Sequence, residues 1–108
     1  MSDVIQELYN VISARKASAD EGSYTGYLFS SGLDKILKKC GEECTETVIA
    51  AKNGNAADIV NETCDLLYHL LVMLCQCGID ISDIEAELET RLKKQGNLKP
   101  SKQTDKNS

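Results

Sequence analysis

Between Ala56 and Cys77 the chain is apolar around most of a helical circumference, with Ile59, Val60, Cys64, Leu66, Leu67, Leu70, Leu71, Val72, Met73 and Leu74 leaving only a narrow polar sector. A helix of that kind is stable in the middle of a bundle, with neighbours on several sides. Asn53-Gly54-Asn55 stands immediately before it. Gly54 suits the left-handed conformation that ends one helix, and Asn55 suits the cap that opens the next. So short a connection forces the two helices into an antiparallel hairpin. The chain is thereby constrained to an all-α fold built round this central hairpin.

The flanking segments follow from periodicity. From Asp3 to about Ala17, the residues Val4, Ile5, Leu8, Val11 and Ile12 recur at the i, i+3, i+4, i+7 spacing of an amphipathic first helix. Ala19 to Ser31 is rich in Gly and Ser without a helical period, so it reads as a connecting loop long enough to carry function. The second helix is expected from Ser30 or Ser31 as N-cap to about Asn53, with Leu33, Ile36, Leu37, Cys40, Cys44, Val48 and Ala51 along one face. Gly78 stops the central third helix. Ser82-Asp83-Ile84-Glu85 reads as a capping box opening a fourth, with Ile84, Leu88 and Leu92 on one face. The expectation is a four-helix domain over residues 1–96, followed by a polar, disordered tail over 97–108 in which Leu98 is the single apolar residue.

Several function classes are excluded at this stage. With 17 Asp and Glu against 12 Lys and Arg, the chain lacks the clustered basic footprint that nucleic-acid binding needs. No run approaches the roughly 18 to 20 uninterrupted apolar residues of a membrane span. Met1-Ser2-Asp3 lacks the basic and apolar regions of a signal peptide, so a cytoplasmic protein is expected. Cys40, Cys44, Cys64, Cys75 and Cys77 are odd in number and form no C-x-x-C pair. They suggest neither disulfides nor zinc and read as small core residues.

The chemistry lies in the acids. Glu42, Glu43 and Glu46 form E-E-x-x-E on the second helix, and Glu62 with Asp65 forms E-x-x-D on the third. Carboxylates three residues apart on a helix point the same way, so each pair can address one point. With the apolar stripe centred on Leu33, Leu37, Cys40 and Cys44, Glu43 projects roughly 80° and Glu46 roughly 140° to one side. These two flank the core and Glu42 looks outward. On the third helix Asp58, Glu62, Asp65, His69 and Gln76 fall within about 60°. Several carboxylates sharing a partly buried groove require cations. An all-oxygen donor set suits Mg²⁺ or Mn²⁺ rather than zinc. Such a groove suits phosphate chemistry, with Lys39 and Lys52 as candidate phosphate holders at its rim. His69, one turn after Asp65, is expected as a hydrogen-bonding side chain of the groove rather than a ligand.

Three runs carry a resemblance: Ser23-Tyr24-Thr25-Gly26-Tyr27-Leu28, the stretch from Lys38-Lys39-Cys40-Gly41-Glu42-Glu43 to Ala51-Lys52, and Glu62-Thr63-Cys64-Asp65-Leu66-Leu67-Tyr68-His69-Leu70. Together they resemble the phosphoribosyl-ATP pyrophosphohydrolase family. That family is a branch of the all-α nucleoside triphosphate pyrophosphohydrolases that include MazG and the dimeric dUTPases. The resemblance implies Mg²⁺-dependent hydrolysis of the α–β phosphoanhydride of phosphoribosyl-ATP to phosphoribosyl-AMP and pyrophosphate, the second step of histidine biosynthesis. It implies Glu43, Glu46, Glu62 and Asp65 as metal ligands. Glu46 is a candidate base for the attacking water, and Glu42 holds a further catalytic motif position. It also places Ser23, Tyr24, Thr25, Lys39, Lys52 and His69 at the substrate, and implies a homodimer packed through helices. The apolarity of the third helix supports the dimer independently, since four helices of this size leave part of it uncovered. Two other readings share these residues: a MazG-like house-cleaning triphosphate pyrophosphatase, and a non-catalytic acidic helical module.

Overall fold

The computed structural model describes residues 3–18 and 22–94. The described residues form five helices and no strand: α1 (Asp3–Ser18), α2 (Tyr24–Ser31), α3 (Leu33–Asn53), α4 (Ala56–Gln76) and α5 (Ile81–Leu92). The all-α expectation holds, while the count of four does not. The expected loop contains α2, whose N-cap Ser23 accepts a hydrogen bond from the Gly26 amide at 2.9 Å. Eight residues are only about two turns, too short for a 3.6-residue period to stand out among glycines and serines. Ser30 and Ser31 consequently close α2 instead of capping its successor, their hydroxyls donating to the Tyr27 carbonyl. The cap of α3 is Gly32, whose φ of 97° is open to glycine and strained for other residues.

The hairpin forms as the Asn-Gly-Asn punctuation requires. Gly54 is left-handed at φ 78°, and the Asn55 side chain accepts from the Asp58 amide. α5 begins earlier than the proposed capping box: Asp80, not Ser82, is the N-cap and accepts from the Ser82 amide at 2.9 Å. That start brings Ile81 into the core at 3% exposure. The expected polar tail falls outside the described residues.

α4 is central, packed against α1, α2 and α3. The core is Tyr9 and Ile12 of α1, Leu28 of α2, Ile36 of α3, Leu71, Val72 and Cys75 of α4, and Ile81 of α5. The Tyr9 hydroxyl donates to the Ile79 carbonyl and ties α1 to the turn before α5. The cysteines depart from expectation: Cys75 is buried and Cys40 half-buried, but Cys44, Cys64 and Cys77 are exposed. For Cys44 the cause is the rotation of α3. Its buried line runs through Ile36, Glu43 and Ala50, two turns apart each time. The apolar stripe read from the sequence, with Leu33, Leu37 and Val48, stands 39%, 44% and 62% exposed.

Candidate metal and phosphate site

Because α3 buries the line through Ile36 and Ala50, Glu43 sits at the centre of its inward face, 7% exposed, rather than beside it. α4 runs antiparallel to α3 and brings Glu62 and Asp65 opposite. Ligating oxygens of Glu43, Glu62 and Asp65 lie within 4.8 Å of one another. Glu46, one turn further along α3, is exposed, and its charge reaches both Glu43 and Glu62. Three of the four acids selected by helical phase therefore converge at one place on the hairpin, with Glu46 beside them.

Electrostatically this place is strained without a cation. Burial, followed by the neighbouring Glu46, pushes the Glu43 carboxyl above its ordinary range. Burial and the charges of Glu46 and Asp65 do the same to Glu62. One oxygen of each, Oε2 of Glu43 and Oε2 of Glu62, is buried with no hydrogen-bond partner. Buried acceptors without donors are costly, and a hard divalent cation is the partner that an all-oxygen set fits. Lys39 contributes one compensating charge, 3.6 Å from Glu43 and 3.5 Å from Glu42. Burial disfavours the Lys39 ammonium, but Tyr24, Glu42 and Glu43 outweigh it and hold its proton more tightly.

The hairpin is stitched at the site by Thr47, whose hydroxyl lies 2.8 Å from the Glu43 carbonyl and 3.1 Å from the Glu62 carbonyl. Sequence reasoning passed over Thr47. Its signal was there: it follows Glu43 by four residues, one turn along the same face.

The second group of expected residues is held differently. The Asp65 carbonyl can only accept, so Nδ1 of His69 carries the hydrogen of their 2.7 Å contact. Nε2 then accepts from the Tyr24 hydroxyl at 2.9 Å. Thr25, 3% exposed, is hydrogen-bonded to the Tyr68 hydroxyl. Ser23 is thus engaged in capping α2, and Thr25 and His69 in fastening α2 onto α4. Tyr24 does this with its hydroxyl while its ring remains 47% exposed, near Lys39 and Glu43.

Two of the expected residues lie outside the cluster. The Glu42 side chain is 47% exposed and looks into an open 570 Å³ groove with Lys38, Thr45 and Glu46. Lys52 is exposed, and nine residues after Glu43 it projects about 180° away round α3. A second groove of 350 Å³ runs from Glu46 and Glu62 toward Asn53 and Asp58. Glu46 lines both grooves, at the meeting point of acids and open space.

Comparison with known proteins adds to this geometry. Residues 5–92 match the profile of the family described as phosphoribosyl-ATP pyrophosphohydrolase. The chain is 53% identical over 100 residues to the phosphoribosyl-ATP pyrophosphatase of Clostridium novyi (strain NT), covering 93% of this chain and 91% of that one. It is 52% identical over 100 residues to the enzyme of that name from Streptococcus thermophilus, covering 93% and 96%. Against that of Limosilactobacillus fermentum it is 55% identical over 87 residues, covering 81% and 82%. A match across nearly the whole folded chain, with the four acids gathered on one hairpin, shows that this chain belongs to the phosphoribosyl-ATP pyrophosphohydrolase family.

Proposed function

We propose that this chain hydrolyses the α–β phosphoanhydride of phosphoribosyl-ATP to phosphoribosyl-AMP and pyrophosphate in histidine biosynthesis, in the cytoplasm, with Mg²⁺ or Mn²⁺. The observation that carries the reading is the pair of buried, unpartnered oxygens on Glu43 and Glu62 within a three-carboxylate cluster. Glu43, Glu62 and Asp65 would hold the ion, with Glu46 completing the set. When bound, it supplies charge neutralisation at the phosphates and a more acidic water. Glu46, exposed where the two grooves meet, takes the proton of the attacking water. Lys39 binds a phosphate oxygen as a point charge. The exposed Tyr24 ring offers a face to the purine, and His69 holds that ring in place through its hydroxyl.

The reading includes a homodimer. Leu33, Leu37 and Val48 on α3 and Val60 and Leu67 on α4 are all more than a third exposed. A purely apolar groove of 120 Å³ lined by Ile5, Leu67, Leu70, Leu71, Leu74, Ile81 and Ile84 continues this surface. Apolar area of that extent is covered by a second copy.

The test is turnover of phosphoribosyl-ATP beside dCTP and dUTP by the purified chain. A clear preference for phosphoribosyl-ATP is expected. Preference for the free triphosphates would assign the chain to house-cleaning chemistry instead.

A further inference from the structure

The polar face of α4 does not end at the acids. His69 and Gln76 continue it, and Gln76 lies 11 residues beyond Asp65, about 16 Å along the helix axis. At that end Gln76 joins Arg15, Lys16, Gly26, Phe29 and Ser30 in lining a 360 Å³ cavity between α1, α2 and α4. Its lining contains two cations and no acid, in a chain whose net charge is −5.

The groups in this cavity are disposed for an anion. Lys16 is held by the Cys75 carbonyl at 3.4 Å and lies over the Phe29 ring at 5.8 Å. Neither Arg15 nor Lys16 is in an ion pair among the described residues, and the Gln76 side chain has no hydrogen-bond partner there. A guanidinium fork, an ammonium and a carboxamide are together a donor set for a tetrahedral oxyanion. Gly26 adds no side chain to this lining.

We infer that this cavity is a phosphate-monoester subsite that takes the 5′-phosphate of the second ribose of the substrate. The inference rests on the phosphoribosyl-ATP reading above. Phosphoribosyl-ATP carries phosphates at two ends, the triphosphate and the phosphate of the added ribose, with the purine between them. The acid cluster receives the first end, and the exposed Tyr24 ring stands between the two sites. The Arg15–Lys16 cavity receives the second, at a separation that the extended nucleotide spans. Arg15 and Lys16 thereby discriminate phosphoribosyl-ATP from ATP without touching the bond that breaks.

The test compares phosphoribosyl-ATP with N1-ribosyl-ATP, which lacks only the distal phosphate, in the full chain and in Arg15→Ala, Lys16→Ala and the double variant. In the parent chain, loss of the distal phosphate should raise KM about tenfold or more, as expected for a charge-assisted contact. Each variant should raise KM for phosphoribosyl-ATP with kcat held within about twofold, and in the double variant the two substrates should converge. Gln76→Glu should raise KM through repulsion, while Lys16→Arg, which keeps the charge, should raise it less than Lys16→Ala. Equal KM values for the two substrates in the parent chain would overturn the subsite, as would a double variant altered only in melting temperature. Binding is read separately by titrating ribose 5-phosphate into the isotope-labelled chain. Shifts of the Gly26 amide and the Gln76 carboxamide that are lost in Arg15→Ala support the subsite, and their absence refutes it. Failure to hydrolyse either substrate, with those shifts present, would refute the pyrophosphohydrolase reading and leave the anion site standing.

Discussion

Glu43 lies 7% exposed on the inward face of α3 with one carboxylate oxygen unpartnered, so its charge opposes the fold unless a cation offsets it. Replacing it with Gln should raise the stability of the metal-free chain by about 1 kcal/mol, measured by thermal melting in EDTA, and should remove most Mg²⁺-dependent stabilisation. The pH dependence has a definite sign. Burial first, then Glu46, raises the Glu43 and Glu62 carboxyls above their ordinary 4.5, so the folded chain binds protons more tightly than the unfolded one. Stability is then greatest on the acid side of this range and declines as pH rises from the ordinary value through the raised one. In EDTA the melting temperature should therefore fall as pH rises above the ordinary carboxylate value of 4.5, and excess Mg²⁺ should abolish or invert that slope. Asp80, lowered by hydrogen bonds from Ser82, acts in the opposite sense and only below its ordinary 3.8. The four acids were legible in the sequence because residues three apart share a direction whatever the exact phase of the helix. The partners of Ser23 and Thr25 were not, because the first is spent on a cap in an unrecognised helix and the second on a side chain some forty residues away, whereas the hydrogen-bonding role of His69 beside Asp65 was.

α2 is the element that converts the serine- and tyrosine-bearing loop of the sequence into a rigid wall of the site. It is fastened to α4 by two adjacent pairs, Tyr24 with His69 and Thr25 with Tyr68. Tyr24→Phe leaves the buried Nε2 of His69 without a donor and should cost about 1 kcal/mol in urea unfolding, with Thr25→Val similar. By contrast, Ile36→Ala, at a fully buried position of α3, should cost about 3 kcal/mol. The hairpin could be read from sequence because Gly54 and Asn55 each have one local task. The orientation of α3 could not. Its apolar residues occupy both the buried line through Ile36 and Ala50 and the open line through Leu33, Leu37 and Val48, so no single stripe marks the inside.

At the scale of the whole molecule, that second apolar line is the clearest departure from a self-sufficient monomer. Sedimentation should give a dimer at micromolar concentration, and Leu37→Glu with Val48→Glu should shift it to monomer; a monomeric parent chain would refute the pairing. The same arrangement accounts for an acidic protein acting on a polyanion, since the acids concentrate on one hairpin where a bound cation would reverse their sign. The most direct test of the central claim is release of pyrophosphate from phosphoribosyl-ATP, followed with Mg²⁺ and with EDTA in the parent chain and in Asp65→Asn. One pyrophosphate per phosphoribosyl-AMP is predicted, abolished by EDTA and reduced by about a hundredfold or more in the variant. Turnover that survives EDTA, or that is unchanged in Asp65→Asn, would contradict the account.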